Sequence, residues 1–237
     1  MNLFNDLINN AMELLPLGSG KTTEYSNKNM AANNDKNQLI LSSEAAFELG
    51  AFGLNSVNMI GMSDNAINKD EVVVYGKDLQ EIKKDVNFAR ITIIKTKNID
   101  TEKEQKTYNA LKAIELCKYS LSADGYMVRT SGISNREQVR VSKKAIKKGI
   151  NFETVGNRFI EQYKTNKFVE NVKIIFITLE DFDYEELENI AVIASKRLKA
   201  LDHMRKDLLM DCKSCEWKVV CDEVEGMKEA HQKMLNI

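Results

Sequence analysis

The run Val172-Lys-Ile-Ile-Phe-Ile-Thr178 constrains the fold more than any other stretch of this 237-residue chain. Its centre is β-branched or aromatic at successive positions, so it reads as a strand of mostly buried character. Phe88-Ala-Arg-Ile-Thr-Ile-Ile-Lys95 carries a similar strand signal. Shorter strands are predicted at residues 38–42, 72–75 and 126–130. Between these runs the apolar spacing becomes helical. Leu3, Phe4, Leu7, Ile8, Met12 and Leu15 recur at helix period, and Pro16, Gly18 and Gly20 supply the stop. A second helix is predicted over 102–121, with Tyr108, Leu111, Ile114 and Leu116 on or near one side. A third covers 136–148 and closes at Gly149, and a further segment covers 157–164. A long one covers 184–205, with Leu187, Ile190, Ala191, Ala194, Leu198 and Leu201 along its apolar side. Strands and helices alternate irregularly. The expected class is therefore α+β, a layered mixed sheet with flanking helices, plus a short C-terminal cysteine-rich metal-binding segment. The boundaries follow composition: 1–37 as N-terminal helix and flexible linker, 38–205 as the α+β domain, and 206–237 as the cysteine-cluster segment.

Charge narrows the function. Lys and Arg number 34 against 35 Asp and Glu, so no basic excess marks the chain as a nucleic-acid binder. No apolar run reaches the roughly 18 residues of a membrane span. The start, Met1-Asn-Leu-Phe-Asn-Asp, lacks a basic n-region followed by an apolar stretch, so no signal peptide is expected. The expected location is the cytoplasm, where thiols stay reduced and clustered cysteines point to metal or redox chemistry.

Three of the four cysteines fall within ten residues, as Cys212-x2-Cys215-x5-Cys221. A CxxC brings two thiolates close enough to hold one metal or two corners of a cluster, and a third thiolate after a short turn adds another. Zinc and a cubane cluster both want four ligands. Zinc sites usually bring a second CxxC or an HxxxH, which is missing here, so an iron–sulfur cluster (4Fe–4S) is favoured and zinc is the alternative. Cys117 is the candidate fourth ligand; its alternative role is a small buried residue on the 102–121 helix. An upstream cysteine followed by C-x2-C-x5-C is also the layout of some iron–sulfur exonucleases, although no acidic–Lys nuclease motif can be placed here. Trp217 lies inside the cysteine loop and would shield a site there, while Lys213 and Lys218 would soften its negative charge. His203 falls near a helix end, where positive charge is favourable, and His231 lies in a polar tail. Gly18-Ser-Gly-Lys-Thr22 lacks the first glycine of a phosphate loop, Leu15 standing in its place, and no strand precedes it. It is read as a turn.

Basic residues gather at Arg129, Arg136, Arg140, Lys143, Lys144, Lys147, Lys148 and Arg158. Either they form a solvated face, or the guanidinium groups grip an anionic ligand.

The stretch Val139-Arg-Val-Ser-Lys-Lys-Ala-Ile-Lys-Lys-Gly-Ile-Asn-Phe-Glu-Thr-Val-Gly156 resembles the middle region of acetyl-CoA synthase, the beta subunit of the CO dehydrogenase/acetyl-CoA synthase complex. Val72–Ile94 and Ala123-Asp-Gly-Tyr-Met-Val-Arg129 are similar to family segments upstream. Val172–Thr178, the 184–205 helix and the cysteine run follow in the family's order. The resemblance implies an α+β middle domain that handles CoA, with Arg129, Arg136, Arg140 and Arg158 as candidate contacts. It implies that Cys212, Cys215 and Cys221 correspond to cluster ligands, and it makes CO dehydrogenase or corrinoid protein subunits the expected partners. The family's fourth cluster cysteine and its Cys-Gly-Cys nickel motif have no counterpart here. No nickel site and no autonomous acetyl-CoA synthesis are therefore expected.

Overall fold

The structure, a computed structural model, describes residues 3–26, 39–99 and 104–205. In chain order the elements are α1 (Asn5–Glu13), β1 (Lys21–Glu24), β2 (Ala45–Leu49), β3 (Ser56–Ser63), β4 (Glu71–Tyr75) and β5 (Phe88–Thr96). Next come α2 (Glu104–Leu116), a 3-10 turn (Cys117–Tyr119), β6 (Tyr126–Thr130) and β7 (Glu137–Ser142). The chain continues through α3 (Lys143–Lys147), α4 (Phe152–Lys164), β8 (Val169–Ile177) and α5 (Tyr184–Arg205). The fold is mixed α+β with layered sheets and flanking helices, as the pattern predicts.

The main sheet has the order β1-β4-β8-β5-β3, with β8 at its centre, parallel to β4 and antiparallel to β5. That position explains the β8 sequence. Successive residues point to opposite faces, and Ile174, Ile175, Phe176 and Ile177 are all fully buried, so both faces of the strand are covered. On one face Phe176 stacks on Phe152 of α4 at a centroid distance of 4.5 Å, and Phe88 of β5 lies 6.3 Å from both rings. α4 reaches this close because Gly156 carries no side chain: a Cβ there would lie 2.5 Å from Val72 Cγ2. β3 is the last strand of the sheet, yet all eight of its residues are buried. α5 and α1 pack over it, and Gly61 admits Ile8 of α1 at a spacing that leaves no room for a Cβ. The two helices are tied to each other. Arg197 donates through Nη1 to Asp6 Oδ1 and through Nη2 to Asp6 Oδ2, both at 2.6 Å.

A second, antiparallel sheet has the order β2-β7-β6, and one buried ion pair joins it to the first. Arg90 of β5 and Glu137 of β7 are both 0% exposed. Arg90 Nε donates to Glu137 Oε1 at 2.7 Å and Nη2 donates to Oε2 at 2.5 Å. The remaining guanidinium nitrogen donates to Thr92 Oγ1 at 2.9 Å. Glu137 Oε2 also accepts from Asn58 Nδ2 of β3 (3.0 Å) and from Thr130 Oγ1 of β6 (3.1 Å). The guanidinium carbon sits 5.4 Å from the Phe159 ring centroid. Burial by itself would lower the Arg90 pKa; the Glu137 charge more than offsets this and holds it above the ordinary value.

Several sequence expectations need correction. Residues 136–148 were expected as one helix; instead Glu137–Ser142 is a strand, and only Lys143–Lys147 is helical. The period is two, with Glu137, Val139 and Val141 buried and the residues between them half-exposed. Ser142 then caps α3 by accepting from Ala145 N, and Gly149 terminates it with φ +87°. α4 starts at Phe152 rather than 157 because Asn151 caps it, accepting from Thr154 N at 2.8 Å. The helix expected over 102–121 stops at Leu116, which is exposed, while Leu111 and Ile114 are buried as expected. Residues 39–42 are no strand, whereas β2 and β3 were not foreseen. Lys21 and Thr22, part of the glycine-rich segment, lie in β1 against β4.

Two outcomes are expected. Gly156→Ala lowers stability by about 1–3 kcal/mol through overpacking against Val72, read as an earlier urea midpoint. Arg90→Met or Glu137→Gln alone costs about 3–5 kcal/mol, because one buried group loses its partner. The double change Arg90→Met/Glu137→Gln costs clearly less than the sum of the two single losses; strict additivity would show that the pair is not coupled.

Candidate functional site

The ion pair that joins the sheets also orients a polar side chain next to a cleft. Asn58 is 5% exposed and donates its backbone N–H to Asn135 O at 2.6 Å. An ionised carboxylate only accepts, so the amide nitrogen of Asn58 must face Glu137. Oδ1 is thereby fixed as the opposite end, and it is buried with no hydrogen-bond donor among the described residues. Asn58 lines a cleft of about 520 Å³ between β3, α2, α5 and the 131–135 turn. Ser195 Oγ of α5 donates to Asn135 Oδ1 at 2.8 Å and holds that turn against the helix.

The four arginines expected to meet an anion are divided between surfaces. In the β6–β7 register Arg129 stands opposite Gln138 and Met127 opposite Arg140, so Arg129 and Arg140 share one face of the smaller sheet. Arg140 Nε donates to Glu48 Oε1 at 2.5 Å and Nη1 donates to Ile40 O at 3.1 Å. Arg136 is exposed, and its Nη2 donates to Leu54 O at 3.0 Å. Arg158 lies on α4 and pairs with Glu161 at 3.0 Å, beside Tyr25, whose hydroxyl donates to the same carboxylate. Arg129 is exposed and makes no ion pair among the described residues. Lys144 and Lys147 border a second cavity of about 460 Å³ together with Lys143 and Lys148. Lys143 donates to Ser43 O, and Lys148 faces Asp124 at 3.7 Å.

Cys212, Cys215, Cys221, Trp217 and His231 lie outside the described residues; His203 falls in the last turn of α5. Cys117 sits in the 3-10 turn, partly buried, with Sγ donating to Ala113 O at 3.3 Å. Burial pushes its thiol pKa up. Among the described residues no group of three or more His, Cys, Asp or Glu could hold a metal ion, and no helix is long and apolar enough to cross a membrane.

Sequence reasoning missed Asn58, Arg90 and Glu137. The signal for Arg90 was available: a guanidinium inside Phe88–Thr96, a strand otherwise read as apolar, requires a buried carboxylate partner. Nothing comparable pointed to Asn58.

No curated protein matches the sequence. The family model of the CO dehydrogenase/acetyl-CoA synthase complex beta subunit matches residues 36–182, from β2 through β8, leaving α1, β1 and α5 outside. The matched span is more than half of the 237 residues, and it contains both sheets save β1 together with the Arg90–Glu137 pair that joins them: the chain belongs to the CO dehydrogenase/acetyl-CoA synthase beta-subunit family.

Proposed function

We propose that this protein is an accessory or partner subunit in CO dehydrogenase/acetyl-CoA or corrinoid one-carbon metabolism, and that it carries an iron–sulfur cluster on Cys212, Cys215 and Cys221. The observation that carries the reading is the cysteine triplet, which follows α5 in a chain whose body belongs to this family. The donor set fits the group: three cysteines in ten residues offer soft thiolate ligands, and iron–sulfur clusters are held by such thiolates. A cluster bound there supplies one-electron transfer.

The chain's own residues set the conditions. Cys117 would serve as a fourth ligand only after losing its proton and its contact with Ala113 O, and burial opposes that loss. Lys213 and Lys218 flank the second cysteine in sequence and would offset thiolate charge around a bound cluster, and Trp217 would restrict water there. The sequence contains no Cys-Gly-Cys, the family's nickel motif, so autonomous acetyl-CoA synthesis is not part of the proposal. CoA contact at the basic face would fall first to Arg129, because Arg136, Arg140 and Arg158 already hold protein acceptors. The setting for this chemistry is the cytoplasm.

Anaerobically purified protein should contain iron and acid-labile sulfide in near-equal amounts and absorb broadly in the visible. Cys212→Ala or Cys215→Ala should remove most of both. Full iron in either variant would sink the reading, and a colourless protein with one zinc per chain would replace the cluster by a zinc staple. Cys117→Ala lowers iron content only if that thiol is the fourth ligand. Arg129→Ala should weaken CoA binding by about 1–3 kcal/mol in a calorimetric titration, the worth of one charge-assisted contact; unchanged affinity returns Arg129 to the solvated face.

A further inference from the structure

The cleft between β3, α2, α5 and the 131–135 turn plays no part in the function proposed above, and its mouth is apolar. Ile133 is 99% exposed, yet an ordered turn presents it: the N–H groups of Ile133 and Ser134 donate to Ser131 Oγ at 3.2 and 3.0 Å. Ser195 Oγ ties the same turn to α5. Tyr119, 44% exposed, and the half-exposed Tyr108 and Val192 continue the apolar surface around the opening. Single exposed apolar side chains are ordinary, but several gathered round one concavity of about 520 Å³ mark a docking surface. The α5 wall also carries graded charge. Glu188 stands exposed toward one end and Lys196 and Lys199 toward the other, and none of the three makes an ion pair among the described residues. On the opposite wall Lys112 and Lys118 are already committed to Glu115.

We propose that residues 222–235 of this same chain dock across the mouth of the cleft, antiparallel to α5. In that segment Val224, Met227, His231, Met234 and Leu235 recur at helix period, and the acidic Asp222, Glu223 and Glu225 precede Lys228 and Lys233. The chain returns from the C-terminal end of α5, so the acidic start of the segment meets Lys196 and Lys199, and its lysines meet Glu188. The spacings agree: Glu188 and Lys199 stand about 16 Å apart along α5, and Glu223 and Lys233 stand about 15 Å apart in a helix. Val224 and the methionines lie against Ile133, Tyr119 and Val192, and unbranched methionine adapts to such an irregular surface. A segment this short, with Gly226 inside it, gains little as an isolated helix and orders where its apolar stripe is covered. The connection is long enough. Lys199 lies about 9 Å back along α5 from Arg205, whereas residues 206–211 alone reach about 20 Å when extended. Docking closes 206–221 into a loop held at both ends on α5, which places the cysteine run at a defined end of the molecule. The docking itself does not rest on a bound cluster, since none of its contacts involves Cys212, Cys215 or Cys221.

Hydrogen exchange of the full chain, followed by mass spectrometry, tests the docking. Amides of 222–235 should exchange at least about tenfold more slowly in the parent than in Val224→Asp/Met227→Asp. Ile133→Asp should release the segment to the same extent, and that position is fully exposed, so the fold should be retained. Lys196→Glu/Lys199→Glu should also release it, and adding Asp222→Lys/Glu223→Lys/Glu225→Lys to that variant should restore protection; a merely destabilised protein would not be rescued. Lys144→Ala/Lys147→Ala, at the second cavity, should change nothing. The proposal is overturned if 222–235 exchange as fast in the parent as in the variants, if the charge reversal fails to restore protection, or if the second-cavity variant loses protection equally. Protection that grows with protein concentration, alongside a dimer in sedimentation, would assign the cleft to a second copy and overturn it too. Iron and sulfide contents are read separately, so failure here leaves the cluster proposal standing.

Discussion

The Arg90–Glu137 pair sets the geometry on which the rest of the molecule depends. Removing both charges from water is costly, and their attraction repays the cost only when geometry is good and the remaining donors and acceptors are filled. Here they are filled. Two guanidinium nitrogens go to the carboxylate and a third to Thr92, while Asn58 and Thr130 complete Glu137 Oε2. Four strands, β3, β5, β6 and β7, contribute to the one cluster. A register slip of one residue in β5 or β7 would turn a charge to the opposite face and strand its partner. The pair therefore favours one pairing of the two sheets over others that hydrophobic burial alone would tolerate.

Much of this architecture was legible in the sequence, for reasons tied to periodicity. Ile174–Ile177 announced a strand covered on both faces, and the apolar side of α5 followed from Leu187, Ile190, Ala191, Ala194 and Leu198, all buried. What failed did so where charge masked the period. β7 alternates Glu137, Val139 and Val141 inward with Gln138 and Arg140 outward, but the inward residue at its start is ionic. The run of lysines that follows completes an apparent helix, of which only α3 is real. β3 was invisible for a related reason. Asn58 and Gly61 weaken its strand signature, and each is required by a neighbour, Glu137 in one case and Ile8 in the other. A tertiary demand that replaces a β-branched residue with a polar or small one removes the local evidence for the strand.

The candidate sites divide along the same line. Cysteine spacing is local and could be read directly, whereas the cleft depends on residues separated by more than one hundred positions. Arginines gathered in sequence were a poor guide to a common site, because strand alternation and the placement of α4 send them to different surfaces, and most meet carboxylates or carbonyls there. A guanidinium already holding Glu48 or Glu161 must give up that partner before it can grip a ligand, which reduces the net gain from binding.

The flanking helices α1 and α5 complete a body that the family model covers only in part. α1 and α5 lie outside the matched span, yet they bury β3 and are locked together by the Arg197–Asp6 bridge. Asp6 is held below its ordinary carboxylate pKa; burial works against this, and Arg197 prevails. A depressed carboxylate stabilises the folded state above its unfolded pKa, and that contribution fades as pH falls through the folded value. In strongly acidic solution the clasp between α1 and α5 would loosen before the Arg90–Glu137 core is exposed, since Asp6 is about half exposed and Glu137 is fully buried. α5 carries both Lys196 and Lys199 and then leads into the segment that holds Cys212. The seating of α5 on β3 therefore governs the wall of the cleft and the point from which the cysteine segment departs. Site chemistry placed on a flanking helix, above a core fixed by one ionic cluster, can change between relatives without disturbing the sheets beneath it.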